Sequence, residues 1–182
     1  MSLEPLLAHI DPEGDIAPVD RWDPPLSGEM DLVIAADGRW IHEGVVFTRP
    51  RLIRLLSTIL RRDADGDYYL VSPQEKWRIH VEDRPFLVVD AEQQNTNWTL
   101  TTNVGDRVML DASHSFSLSK TPSGVVVPEV PVRFGLSARL NRNVYYHLVE
   151  RAESREQDGD VELGLLSGEH WHPLGRLGVD AS

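Results

Sequence analysis

The alternation of apolar and polar positions predicts short strands joined by tight turns, interrupted by two helices. The apolar run at 32–34 is followed by the turn dipeptide Asp37-Gly38, a combination typical of antiparallel strands. Leucine and isoleucine then recur with the spacing of a helical face, which predicts a helix over 49–62. Further short strands are predicted after this helix, because apolar residues alternate again in period two.

The same order of elements recurs 93 residues further along the chain. This offset relates Thr48 to Asn141 as candidate helix N-caps, and Leu55 to Leu148 within the two apolar stripes. An Asp-Gly-Asp turn follows each stripe at the same offset. The ungapped match predicts an α+β fold with two similar, mainly antiparallel β domains of one helix each, the second helix at 142–152. A coincidence of two amphipathic helices with common turns is the alternative.

Domain boundaries follow from this repeat. We predict an N-terminal tail at 1–21, a first α+β repeat at 22–92 and a second at 93–182, since the chain up to about residue 28 is rich in Pro, Asp and Gly. The central strands are assigned to the second repeat, although the pattern leaves open which half owns them.

Composition narrows the classes of function. The chain has 182 residues, no cysteine and a formal net charge of −11, which excludes disulfide scaffolds and thiolate chemistry and argues against binding to nucleic acid or anionic membranes. Its start lacks the basic and apolar regions of a secretory signal, and no stretch has the length of a membrane span. We therefore expect a cytoplasmic protein.

Motifs along nearly the whole chain resemble those of a known family. They are Trp22-Asp23-Pro24-Pro25, Asp37-Gly38-Arg39-Trp40, Asp65-Gly66-Asp67-Tyr68, Glu82-Asp83-Arg84-Pro85-Phe86, Thr102-Asn103-Val104-Gly105-Asp106 and Val132-Arg133-Phe134-Gly135-Leu136. In these stretches the chain is similar to the bacterial family called domain of unknown function 1285. The resemblance implies a duplicated fold with a loosely pleckstrin-homology-like C-terminal half. It also implies a nucleotide-like ligand between the halves and a role in signal transduction, but no particular reaction.

Cationic side chains are the first candidates for an anion site. The predicted first helix carries Arg49, Arg51, Arg54, Arg61 and Arg62, whose guanidinium groups suit phosphate or carboxylate. The strand that follows places one lysine, one arginine and one histidine on a single face, at Lys76, Arg78 and His80. A solvated polar face is the alternative interpretation in both cases.

Two further groups of polar residues are candidates for a site. The loop 102–106 predicts a hairpin turn, and its side chains are also available to a ligand. Asp111 and His114 are candidates for a carboxylate–imidazole pair, although three residues of extended chain need not bring them together. His170 and His172 have the spacing of metal ligands on one strand face, with His42, His80 or His147 as a third ligand.

We therefore expect a ligand-binding or signalling protein rather than an enzyme, with a small anionic ligand at the interface of the two halves and no identifiable cofactor. The expected ligand-binding residues are Arg54, Glu75, Lys76, Thr102, Asn103, Asp106, His114 and Arg133. One alternative is a metal-dependent hydrolase or oxygenase that uses His170 and His172. The other is a protein–protein adaptor, in which the arginine helix and the sheet edges bind a partner.

Overall fold

A computed structural model describes residues 3–177 of the chain. Within them the strands are Gly28–Ile34 (β1), Trp40–His42 (β2), Val45–Val46 (β3), Leu60–Arg62 (β4), Tyr68–Val71 (β5), Lys76–Val81 (β6), Phe86–Gln94 (β7), Asn97–Thr102 (β8), Arg107–Met109 (β9), Ser117–Lys120 (β10), Val126–Arg133 (β11), Leu136–Leu140 (β12), Glu153–Gln157 (β13), Asp160–Ser167 (β14) and His170–Leu177 (β15). The α-helices are Glu4–Leu7 (α1), Pro50–Ser57 (α2) and Arg142–Glu150 (α3). A short 3-10 helix spans Val19–Arg21.

The first unit comprises the chain up to Pro85 together with Arg133–Leu136. It contains a six-stranded sheet in the order β3-β2-β1-β6-β5-β4. Neighbouring strands run antiparallel except at the centre, where β1 pairs with β6 in parallel. Leu32, Ile34 and Trp40 are fully buried in its core, as expected for alternate positions on one sheet face.

The second unit comprises Phe86–Val132 and the chain from Ser137 onward. Its six-stranded sheet has the order β10-β11-β12-β7-β8-β9, again with a parallel pair, β12 and β7, at the centre. The three strands β13, β14 and β15 form a separate antiparallel sheet. The two six-stranded sheets therefore share one strand order, in which β7 to β12 take the places of β1 to β6.

The predicted α+β fold with two similar domains is confirmed, but it contains two different repetitions. The 93-residue offset relates α2 and the three antiparallel strands after it to α3 and the strands β13 to β15. The sheet order instead relates β4, β5 and β6 to β10, β11 and β12. Consequently α3 follows all six strands of its sheet in the sequence, whereas α2 lies between the third and fourth strands of its sheet.

The first helix is shorter than the predicted 49–62, because it ends at Ser57. The hydroxyl groups of Ser57 and Thr58 donate to the carbonyl oxygens of Arg54 and Leu55, each at 2.6 Å, and such side-chain bonds compete with continued helix. Leu60, predicted on the helical stripe, is instead fully buried in strand β4. The apolar spacing continued past the helix because a buried strand follows it directly.

The predicted N-caps differ in outcome. The side chain of Asn141 accepts a hydrogen bond from the backbone N–H of Val144 at 3.1 Å, which confirms it as the N-cap of α3. The prediction for Thr48 is wrong, because the N-cap of α2 is Arg49, which makes no side-chain capping bond. Pro50 occupies the first helical position, where its missing N–H costs little.

The N-terminal segment is a packed part of the first unit. Leu6, Ile10 and Val19 are buried, and the backbone N–H of Ala17 donates to the carbonyl oxygen of Thr58 at 3.3 Å. Across the described residues, no helix is both long and apolar enough to cross a membrane.

Candidate functional site

Three of the arginines predicted to bind an anion hold the N-terminal segment by its main chain. Arg51 donates to the carbonyl oxygen of Pro12 at 2.6 Å, and Arg54 donates to that of Gly14 at 3.1 Å. Arg61 donates to the carbonyl oxygens of Val19 and Trp22, both at 2.6 Å. These guanidinium groups therefore satisfy backbone acceptors of the N-terminal segment, two of which belong to the buried residues Gly14 and Val19.

Lys76 lies inside a network of alternating charges. Its Nζ lies 2.8 Å from a carboxylate oxygen of Asp63 and 4.4 Å from the ring centroid of Tyr69. Burial alone would raise the pKa of Asp63, but hydrogen bonds from Arg61 and Lys76 outweigh it and lower that pKa. The lysine charge is thus balanced within the first unit.

Arg78 extends the same network along strand β6. Its guanidinium lies 3.2 Å from carboxylate oxygens of Glu29 and Asp67, and its Nη2 donates to the hydroxyl of Tyr69 at 3.4 Å. The tyrosine hydroxyl in turn donates to Asp65, which raises the pKa of Tyr69. Acidic neighbours therefore balance Lys76 and Arg78, whereas His80, the third residue of this face, is exposed.

Glu75 and Arg133 make backbone contacts in the first unit. The backbone N–H of Glu75 donates to the buried hydroxyl of Ser72 at 3.0 Å, which forms the turn before β6. Arg133 donates from Nη1 to the carbonyl oxygen of Ser57 at 2.9 Å. A ligand role for these two residues stays a prediction.

Thr102, Asn103 and Asp106 lie in one turn of the second unit. The backbone N–H of Asp106 donates to the hydroxyl of Thr102 at 3.1 Å, and the Thr102 N–H donates to the Asp106 carbonyl at 2.8 Å. The side-chain oxygen of Asn103 accepts from the backbone N–H of Leu87 at 3.0 Å. Gly105 has a φ of 98°, a conformation that favours glycine. The structure thus confirms the predicted turn, and the polar groups of Thr102, Asn103 and Asp106 make hydrogen bonds that stabilise it.

Asp111 and His114 do meet. The imidazole Nδ1 lies 3.1 Å from the carboxylate oxygen that also accepts from the backbone N–H groups of Ser113 and His114. These bonds, led by that of Ser113, lower the pKa of Asp111. A turn, rather than extended chain, brings the two side chains together.

His172, one of the two histidines predicted to bind a metal, contacts a serine hydroxyl instead. His172 is fully buried, and its Nδ1 lies 2.9 Å from the hydroxyl of Ser115. Burial lowers the pKa of His172, with a smaller contribution from His170. Among residues 3–177 no three metal-ligating side chains converge into a cluster. The enzymatic alternative that depends on this pair stays a prediction.

A cleft of about 260 Å³ lies in the second unit, beside the start of helix α3. Its lining combines aliphatic, aromatic, hydroxyl and cationic side chains, which are Thr121, Ser123, Val125, Val126, Val127, Leu140, Arg142, Tyr145 and Tyr146. Tyr146 and Val125 are 57% and 58% exposed. The lining therefore offers both an apolar surface and hydrogen-bond donors to one small molecule.

Arg142 is the first residue of α3 and lines this cleft. Within the described residues its side chain makes no hydrogen bond or ion pair. It also lies at the positive end of the helix dipole, where a cation is unfavourable unless an anion is near. Arg142 is not among the predicted ligand-binding residues, because only its lack of a partner in the described part of the chain distinguishes it from the other arginines.

Arg139 holds the hairpin that forms one wall of the cleft. It is 3% exposed and donates to the carbonyl oxygens of Ser119, Lys120 and Val127 at 3.1, 3.3 and 2.6 Å. Because a buried guanidinium requires such acceptors, strands β10 and β11 are held in place beside α3. Arg139 is thus a positioning residue for the cleft.

The fold and the sequence define a family of duplicated α+β proteins. The family model "Domain of unknown function (DUF1285), N-terminal domain" matches residues 17–84. The model "Protein of unknown function (DUF1285), C-terminal domain" matches residues 85–174. The chain belongs to the DUF1285 family, which confirms the resemblance seen in its motifs.

Solved structures of this family resemble the chain. A DUF1285 family protein from Silicibacter pomeroyi DSS-3 has 36% identity and a TM-score of 0.85, and the match covers 98% of this chain and 96% of that one. A DUF1285 family protein from Shewanella baltica OS155 has 28% identity and a TM-score of 0.55 over 66% of this chain and 91% of that one. No curated protein matches the chain.

Proposed function

We propose that this protein binds a small anionic, nucleotide-like ligand, and that the cleft beside α3 is its site. The observation that carries this proposal is the guanidinium of Arg142, which lines the cleft without an acidic partner in the described chain. The predicted location between the two halves and the role in signalling stay predictions from the sequence. The adaptor function and the cytoplasmic location also stay predictions.

The start of α3 favours the anionic part of the ligand. The first backbone N–H groups of a helix have no acceptor inside the helix, and the helix dipole adds positive potential there. The side chain of Asn141 accepts from the N–H of Val144. The N–H groups of the two helical residues before Val144 remain available to an external acceptor. A phosphate or carboxylate would receive these donors together with the guanidinium of Arg142.

The remaining lining favours a ring attached to that anion. Tyr145 and Tyr146 have ring centroids 6.2 Å apart, and the hydroxyl of Tyr145 donates to the carbonyl oxygen of Leu174 at 3.2 Å. The exposed ring of Tyr146 and the aliphatic side chains of Val125 and Val126 give an apolar surface on which a planar ring can stack. The ligand class therefore combines an anionic group with an aromatic ring.

The test is calorimetric titration of the full chain with adenosine 5′-monophosphate, adenosine and inorganic phosphate. The variants are Arg142→Gln, Tyr146→Ala and, as a matched control, Arg107→Gln, an exposed arginine of strand β9 outside the cleft. We expect the monophosphate to bind more tightly than either fragment. Arg142→Gln should weaken the monophosphate and inorganic phosphate by about tenfold and leave adenosine unchanged.

Tyr146→Ala should weaken the monophosphate and adenosine but not inorganic phosphate, because it removes only the stacking surface. The control should bind as the wild type does. Equal affinity of wild type and Arg142→Gln for the monophosphate would contradict the proposal, as would the absence of saturable binding in the millimolar range.

A further inference from the structure

A second cleft of about 420 Å³ lies elsewhere in the second unit. One wall is the turn between β7 and β8, and the other is the end of α3 with the start of β13. The backbone N–H of Gly168 donates to the carbonyl oxygen of Thr96 at 2.7 Å, and that of Trp98 donates to the hydroxyl of Ser167 at 2.9 Å. These bonds join the β7–β8 hairpin to the β14–β15 hairpin, which also borders the cleft. The shape of the cleft therefore exists before a ligand binds.

Two opposite charges line this cleft without neutralising each other. Arg151 and Glu153 are both exposed and both face the same space. Neither side chain makes an ion pair or hydrogen bond within the described part of the chain. A cleft that presents one free cation and one free anion matches a ligand that carries both charges itself.

The neutral lining fits the same kind of ligand. The side chains of Gln93 and Asn95 offer both donors and acceptors. Trp98 and Leu165 are buried beneath the cleft, while Leu166 is 44% exposed at its edge. An apolar side chain of the ligand would contact this surface while its charged ends reach the rim.

We propose that this cleft binds a small zwitterion with an apolar side chain, either a free amino acid or a dipeptide. The carboxylate of the ligand pairs with Arg151 as a bidentate acceptor, and its ammonium group pairs with Glu153. This site is separate from the anion cleft beside α3, with which it shares no lining residue. The two proposals therefore stand or fall independently.

The test is calorimetric titration of the full chain with leucine and leucyl-leucine, and with two blocked forms of the dipeptide. N-acetyl-leucyl-leucine lacks the ammonium group, and leucyl-leucine amide lacks the carboxylate. The variants are Arg151→Gln and Glu153→Gln, with Arg107→Gln, an exposed arginine that lines neither cleft, as the control. The comparison of leucine with the dipeptide identifies which of the two the cleft accepts.

We expect the wild type to bind the free zwitterion about two- to fivefold more tightly than either blocked form, as for ion pairs at partly exposed sites. Glu153→Gln should remove the discrimination against the acetylated form and keep that against the amide. Arg151→Gln should do the reverse, and Arg107→Gln should change neither.

Three results would overturn the proposal. The first is an absence of saturable binding of both leucine and leucyl-leucine in the millimolar range. The second is equal affinity for free and blocked dipeptides in the wild type. The third is a loss of discrimination in Arg107→Gln, since that residue lies outside the cleft.

Discussion

The indole N–H of Trp171 donates a hydrogen bond to the buried carboxylate of Glu162. Arg155 donates to the same carboxylate at 2.9 Å and Arg176 at 3.4 Å, so three strands of one sheet meet at a side chain that is only 7% exposed. Burial would raise the pKa of Glu162, but the bonds from Trp171, Arg155 and Arg176 outweigh it and lower that pKa.

The variant Glu162→Gln should lower the free energy of unfolding at neutral pH by about 1–3 kcal/mol, because it removes charge-assisted hydrogen bonds. The lowered pKa means that this stabilisation is complete above the ordinary value of 4.5 and is lost as the pH falls through the folded-state value. Urea unfolding at a series of pH values measures both effects. The exposed control Glu169→Gln should follow the wild type, and an unchanged acid limb in Glu162→Gln would refute the assignment.

Gly164 leaves room for the indole of Trp171. A Cβ at this position would lie 2.5 Å from two atoms of the indole and 2.7 Å from the carbonyl oxygen of His172. Gly164→Ala should therefore destabilise the protein by about 1–3 kcal/mol through overpacking, measured by thermal unfolding. Gly175→Ala is the matched control, because its Cβ would meet nothing nearer than 3.5 Å. Equal stability of the two variants would contradict this packing.

His172 should make stability depend on pH in a window distinct from that of Glu162. Burial lowers its folded-state pKa below the ordinary value of 6.5, so the unfolded chain binds a proton first as the pH falls. Stability should decline below about pH 6.5 and level off at the folded-state pKa. His172→Gln should remove this decline, whereas His170→Gln, at an exposed position, should retain most of it. A decline that survives in His172→Gln would exclude this cause.

Arg61 should hold the N-terminal segment against the first unit. Its side chain is 12% exposed and bonds to the carbonyl oxygens of Val19 and Trp22 and to Asp63. Arg61→Gln should cost about 1–3 kcal/mol of unfolding free energy, because buried acceptors lose their donor. It should also accelerate tryptic cleavage after Arg21. Arg49→Gln, an exposed position in the same region, is the control, and equal cleavage rates would count against this role.

The sequence predicted the local features of the fold well. The short strands after the first helix, such as β5, and the N-cap at Asn141 agree with the prediction, because both depend on residues close together in the chain. The end of the first helix was wrong, since Leu60 fits the helical spacing while its burial comes from pairing with Leu70 in a sheet. Periodicity alone does not distinguish these two kinds of burial.

The candidate site was less predictable, because charge pairing is a long-range property. Lys76 and Arg51 look like free cations in the sequence, yet their partners Asp63 and Pro12 come from distant segments. Arg142 lacks such a partner within the described residues, and nothing in its neighbours' spacing reveals this. The sequence predicts the type of side chain that an anion requires. It does not predict which of the cationic side chains stays without an acidic partner in the folded chain.

The parallel pairs at the sheet centres have a consequence for how the chain folds. β1 pairs with β6, and β7 pairs with β12, so each central pair joins the first and last strands of its sheet. During synthesis, the ribosome must therefore release the whole of 28–81 before the first of these pairs can close. Such high contact order predicts slow folding compared with helical proteins of similar size, and an interval in which nascent β1 exposes an unmatched edge to chaperones or to other chains.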